Sequence, residues 1–334
     1  MSVPARRRVT AALLALPFAR PWLPASAAPS ELSPHPLRLL VGYAAGGGAD
    51  HIARIVADSL GGDGELTIVD NRPGAAGQIA MHEAARAGAD RPTLLLGTVG
   101  SVSIGPLLAS SPETPVRQLQ PLAIVASTPH VLLMAGDGTR LRADDARATL
   151  LRLLAEARQR PGEIAYASLG VHSSAHLVGE LMSRQAGVLL SHVPYPGSAR
   201  ALIDLKGGHV ALLVSTLQAA LPLMRQGRVR ALAVTGRARS PLAPAVPTFA
   251  EADIPGMSQD AWYGVLASPA VPEARRAVLA ERLTRLLREA SLRHRLAQDG
   301  AEPLSLTGQQ AIDYLDRQRD VWRQALAAVS HRLG

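Results

Sequence analysis

Three consecutive glycines, Gly46 to Gly48, follow a short apolar run and precede Asp50 in the stretch GYAAGGGAD (42–50). Glycines leave backbone N–H groups uncovered by side chains, so this stretch can receive a small anion, a phosphate included. The nucleotide fingerprints do not fit it. Laid on Gly46 and Gly48, G-x-G-x-x-G puts its third glycine on His51, and a P-loop started at Gly42 puts Gly48 and Ala49 where lysine and Ser/Thr are required. Hydrolase signals are absent too: no serine sits in G-x-S-x-G and no H-E-x-x-H occurs. His172 and His176 stand at i and i+4, a spacing that can hold a metal on one helix face. No third ligand accompanies them, and a capping, hydrogen-bonding turn around Ser173 and Ser174 is the favoured reading, so neither metal nor cofactor is expected.

What recurs is a small-residue turn that leads into a helix. Gly46–Asp50 is the first, Gly74–Gly77 the second, Ser168–Ser174 the third and Gly197–Ser198 the fourth. Each exposes unpaired N–H donors at the positive end of a helix. Together on one cleft they suit an oxygen-rich anion.

The elements around these turns follow one grammar. From Leu37, short apolar runs (LRLLVGYA, ELTIVD, TLLLGT) alternate with helical stretches at 50–60 and 78–87, the signature of a sheet buried on both faces and joined by crossovers. Asp50 is placed as the N-cap of the first helix, in which Ile52, Ile55, Val56 and Leu60 recur at helical spacing. The pattern starts again near Ala123: strands at AIVAS, HVLLMAG, IAYASLG, VLLSHVPY, ALLVST and VRALAVTG, with helices at 143–158, 174–185 and 198–205. A proline-punctuated stretch follows, then a strand at WYGVLAS and two long helices at 273–297 and 308–329. Two α/β lobes with repeated crossings leave a cleft between them, and ligands in such folds sit at the carboxyl ends of the strands.

Composition narrows the function. With no cysteine among 334 residues, disulfides, thiolate metal sites and a cysteine nucleophile are excluded. Arg6, Arg7 and Arg8 precede an apolar run ending at Ala19, and Ala25-Ser26-Ala27 offers small residues for cleavage, the order of an export signal over residues 1–27 cleaved near Ala27. Four of the eight net positive charges leave with that segment. The remaining arginines are scattered without interleaved aromatics, so no nucleic-acid partner is expected.

Seven collinear stretches carry a resemblance. AGGGAD (45–50), NRPGAAG (71–77), SLGVHSSAHL (168–177), VPYPGS (193–198), RALAVTGRARSP (230–241), VPTFAEADIPG (246–256) and WYGVLASPAVP (262–272) resemble the extracytoplasmic solute receptors of tripartite tricarboxylate transporters, the Bug receptors. The resemblance implies a type II periplasmic binding protein fold of two lobes, each a central, mostly parallel sheet flanked by helices. Residues 37–125 and 236–334 then form lobe 1, and 126–235 lobe 2. It implies a monomeric, non-enzymatic receptor that passes a small di- or tricarboxylate or other organic acid to membrane permease subunits, with a periplasmic sensor as the alternative. Carried over by position, the ligand contacts are Tyr43, Gly47, Asp50, Ala76, Thr98 and Ser101 in lobe 1, and Ser168, Gly170, Ser173, Ser174, His176 and Tyr195 in lobe 2. Two departures stand out. His172 replaces a glycine common in the family, and Ala211 and Ser215 stand where members often carry acids, which leans toward a ligand without an ammonium group.

Overall fold

The computed structural model describes residues 36–334 except 63–65, 89, 110–114, 138–142 and 333–334; the export-signal reading lies outside the described residues. The chain begins with β1 (Leu37–Val41), α1 (Gly48–Gly62), β2 (Thr67–Asn71), α2 (Gln78–Ala85) and β3 (Thr93–Thr98). A π-helical turn (Val99–Ile104), α3 (Gly105–Leu108) and β4 (Gln120–Thr128) follow. Then come β5 (His130–Ala135), α4 (Ala143–Gln159), β6 (Ala165–Ser168), α5 (Ser174–Gln185), β7 (Ser191–Pro194), α6 (Ser198–Lys206), β8 (Leu212–Thr216), α7 (Leu217–Arg225) and β9 (Val229–Val234). The chain ends with β10 (Ala261–Ala267), α8 (Glu273–Leu286), α9 (Ala290–Gln298), β11 (Glu302–Thr307) and α10 (Gln309–Val329). Among the described residues, no helix is long and apolar enough to cross a membrane.

Two sheets form the frame, ordered β11-β4-β10-β3-β1-β2 and β7-β6-β8-β5-β9. Each contains the same parallel unit: β1 pairs with β2 and β3, and β6 pairs with β7 and β8. The remaining pairs are antiparallel, so the sheets are mixed rather than mostly parallel. The cause is the crossing itself. The chain leaves the first sheet at Thr128 and enters the second at His130, so β5 begins where the parallel strands end and runs against β8. The return through β10 repeats this against β3, with Tyr263 opposite Thr98.

Three further elements differ from the sequence expectation. The helix expected over 273–297 is broken, because in one continuous helix Leu292 and Leu296 would lie on the face opposite Leu283 and Leu287; the break at 287–289 lets all four be buried. β11, which carries Pro303, lies at a sheet edge where proline costs no ladder bond on the open side. α7 forms despite Pro222, its N-terminus capped by Thr216.

The helices cover both sheets. Apolar side chains of α1, α8 and α9 pack with one face of the first sheet, and those of α6 and α7 with one face of the second. A larger cluster containing Tyr166, Phe249, Trp262 and Trp322 joins elements of both. Trp322 on α10 is fully buried there and meets the His130 ring edge-on, 6.2 Å between centroids. Trp322→Ala is expected to lower stability by about 3–5 kcal/mol, read as a reduced urea midpoint; a loss under about 1 kcal/mol would show that this cluster does not join the two sheets energetically.

Candidate functional site

All four small-residue turns converge between the sheets, where they line two adjoining chambers that share Tyr43 and Leu169. The inner chamber, about 30 Å³, is lined by Gly47, Gly48 and Thr98 from one side, Ser174, Ser198 and Thr216 from the other, with Trp262 and Tyr263. The outer chamber, about 370 Å³, is lined by Gly74, Ala75, Ala76, Gly170, Tyr195 and neighbouring residues. No residue lining either chamber carries a charged side chain.

The first turn is built by Asp50. α1 begins at Gly48, so Asp50 is not the N-cap but a first-turn residue whose carboxylate reaches back to the Gly46 N–H (2.9 Å). Arg54 grips the same carboxylate through Nε and Nη2 at 2.9 and 3.0 Å. Burial alone pushes the Asp50 carboxyl up, but bonds from Arg54, Gly46 and Asn71 outweigh it and hold the group below the usual carboxylate range. Asp50 is thus an acid that shapes the glycine turn and does not line either chamber.

The second turn is strained. Ala75 and Ala76 both take left-handed backbone, φ 46° and 52°, between Gly74 and Gly77. Such conformations cost non-glycine residues about 1 kcal/mol or more and persist only where the surroundings hold them. Here Tyr43 donates its hydroxyl to the Ala76 carbonyl at 3.3 Å, and its own carbonyl accepts from Asn71 Nδ2 at 3.0 Å. Burial pushes the Tyr43 hydroxyl up to about 12, against a hydrogen bond from Thr98. Thr98 itself caps the following turn: its side chain accepts from the Ser101 N–H while the Ser101 hydroxyl accepts from the Thr98 N–H. Thr98 faces the inner chamber and Ser101 lies buried behind it.

In the third turn, Ser168 is fully buried, its Oγ 2.6 Å from His192 Nε2 and accepting from the Gly170 N–H at 3.2 Å. Ser173 caps α5 by accepting from the His176 N–H. His176 in turn accepts the His172 N–H on Nδ1 (3.1 Å) and stacks on His192, 3.9 Å between ring centroids. The i, i+4 histidines therefore form a turn-holding pair, and His172 takes φ 62°, a conformation that glycine adopts without strain. Ser168, Ser173 and His176 support the loop that lines the outer chamber, and Ser174 alone of this group opens on the inner one. Ser174 Oγ lies 2.9 Å from His130 Nε2, and His130 Nδ1 lies 2.9 Å from the Gln259 carbonyl. Tyr195 donates its hydroxyl to Asp204 and turns its ring to the outer chamber.

Of the twelve predicted residues, seven line the chambers: Tyr43, Gly47, Ala76, Thr98, Gly170, Ser174 and Tyr195. Asp50, Ser101, Ser168, Ser173 and His176 brace the turns from behind. Trp262, Tyr263, Ser198 and Thr216 also line the inner chamber and are not among the twelve. The adjacent Trp and Tyr were a usable signal in a chain with 3% aromatics.

The two sides touch through one main-chain bond and one to a side chain: the Ala44 N–H donates to the Pro196 carbonyl (3.3 Å) and the Gly48 N–H to Ser198 Oγ (3.4 Å). A Cβ on Gly48 would come within 2.2 Å of Gln218 Oε1 and 3.2 Å of Thr216 Oγ1, so any side chain there must displace the end of Gln218.

The fold that frames this cleft is shared with known proteins. The sequence profile described as tripartite tricarboxylate transporter family receptor matches residues 52–330. The chain belongs to this receptor family. Protein BugT of Bordetella pertussis is 32% identical over 290 residues, which cover 86% of this chain and 87% of BugT. Among solved structures, R. palustris Rpa4515 with adipate is 30% identical with a TM-score of 0.80, covering 88% of this chain and 97% of that one. The periplasmic binding protein BugD is 28% identical, with a TM-score of 0.77 over 88% and 97% of the two chains. The two-lobed type II fold follows, and the receptor is a binding protein, not an enzyme.

Two measurements test this geometry. Gly48→Leu sets a side chain between Gln218 and Thr216 of the opposite lobe, and its affinity for any carboxylate bound by the wild type is expected to fall at least tenfold, about 1.4 kcal/mol, by calorimetry; unchanged affinity would mean that binding does not need this approach. The second concerns pH. Burial pulls His130 down to about 4, and burial with His192 and His172 pulls His176 to about 3, from 6.5. The unfolded chain therefore binds more protons below 6.5, and stability is expected to fall as pH drops from about 6.5 to 4, by up to about 1.4 kcal/mol per pH unit for each histidine. Urea unfolding across that window checks the sign, and a rise in stability would contradict it.

Proposed function

We propose that the receptor captures a small organic carboxylate, a di- or tricarboxylate or a related acid, and delivers it to membrane permease subunits of a tripartite tricarboxylate-type transporter. It acts in the periplasm as a monomer, after removal of an export signal near Ala27. The lobes we assign to residues 37–125 with 236–334, and to 126–235. One observation carries the reading: four helix-leading turns, two from each sheet, face one cleft that no charged side chain lines. In such a cleft an anion is stabilised by backbone N–H groups, hydroxyls and helix N-termini, and not by a salt bridge. Adipate in the similar Rpa4515 supports the same ligand class.

Closure supplies the coupling. A ligand that touches Gly47 and Thr98 on one side and Ser174 and Ser198 on the other favours the state in which the Ala44–Pro196 and Gly48–Ser198 bonds form. That state differs in surface from the open one, which gives a permease something to distinguish. Thermal unfolding of ligand-free protein against a panel of mono-, di- and tricarboxylates tests the reading. The expected result is a rise of several degrees for one class at about 100 times its Kd. Absence of a shift with every carboxylate would sink it.

A further inference from the structure

The inner chamber holds a hydroxyl whose hydrogen is already committed. The Gln259 carbonyl can only accept, so the proton of His130 sits on Nδ1. His130 is fully buried and burial disfavours its charged form, leaving Nε2 as a lone pair. The Ser174 hydroxyl must then donate to Nε2 across 2.9 Å. What Ser174 offers the chamber is its oxygen lone pairs alone. A carboxylate oxygen placed against them meets an acceptor, which is repulsive.

A hydroxyl matches this acceptor, because it has a hydrogen to give. The space is on the order of two water-sized groups, and a neutral hydroxyl enters it without a counter-ion. An ammonium could donate to Ser174 as well, but no lining carboxylate would neutralise it.

We propose that Ser174, oriented by His130, makes the receptor selective for hydroxy acids: the ligand hydroxyl enters the inner chamber and donates to Ser174 Oγ. This rests on the carboxylate reading above and refines it. His130 is a positioning residue, since it acts on the ligand only through Ser174.

The test is calorimetry on purified, ligand-free protein with matched acids that differ by one group: succinate, malate and aspartate; glutarate, 2-hydroxyglutarate and glutamate; adipate and 3-hydroxyadipate. In the wild type, the best-bound hydroxy acid is expected to bind roughly tenfold tighter than its deoxy partner, the range of one hydrogen bond that satisfies a buried group. In Ser174→Ala the two Kd values are expected to come within about threefold of each other, chiefly by weakening of the hydroxy acid. Ser174→Cys, whose thiol accepts poorly, gives the same comparison if the alanine variant unfolds. Carboxylate binding without a hydroxyl preference, a preference that survives both substitutions, or tighter binding of the amino acid would each overturn the inference and leave the carboxylate reading standing. Failure of every acid to bind would overturn both.

Discussion

A strand that enters a sheet from the cleft must start where the parallel strands end. Everything else in this receptor depends on that constraint. β5 and β10, the strands by which the chain crosses between lobes, run against β8 and β3. Because they do, the β1-α1-β2-α2-β3 and β6-α5-β7-α6-β8 units stay parallel within themselves and aim all their βα turns at the same gap. Four helix N-termini then face one cleft without a charged side chain among its lining residues. The same crossing carries Trp262 and Tyr263 in beside Thr98, so the strand that joins the lobes also furnishes the cleft floor.

The charged groups stay near the site but outside it. Asp50 is spent on Gly46 and Arg54, and Tyr195 on Asp204, so charge fixes backbone and ring positions while neutral groups face the cleft. The histidines follow the same division. His176 and His192 stack beneath the outer loop, held neutral by burial, and serve the His172 N–H and the Ser168 hydroxyl. A cleft arranged in this way can release its ligand on opening, because no buried ion pair has to be broken. Among the described residues, three of the four non-glycine positions with left-handed backbone, Ala75, Ala76 and His172, lie in the turns that line or brace the cleft, and the fourth, Asp253, lies outside it.

Much of this was legible from local pattern. Fully apolar runs such as LRLLV and TLLLGT announce strands buried on both faces, and the α5 boundaries follow from Ser173 as its cap. Elements that broke local rules were missed or misjudged: β11 with Pro303, α7 with Pro222, and the helix whose leucines change phase after Leu287. In each, a distant element repays a poor local preference: pairing with β4 for β11, and burial for α7 and the broken helix.

The sequence by itself determined the family, the two-lobed α/β class and the four turns that line the cleft, because backbone conformation near glycines and caps is encoded within a few residues. Only the tertiary structure decided which face of each turn opens on the cleft. Ser173 and Ser174 are neighbours of one type, yet one caps a helix and the other lines the chamber. The direction of the Ser174 hydroxyl is set by His130, 44 positions away, whose tautomer is set by Gln259, a further 129 positions along the chain. Hydrogen-bond direction depends on partners gathered from remote strands, and no local pattern specifies them.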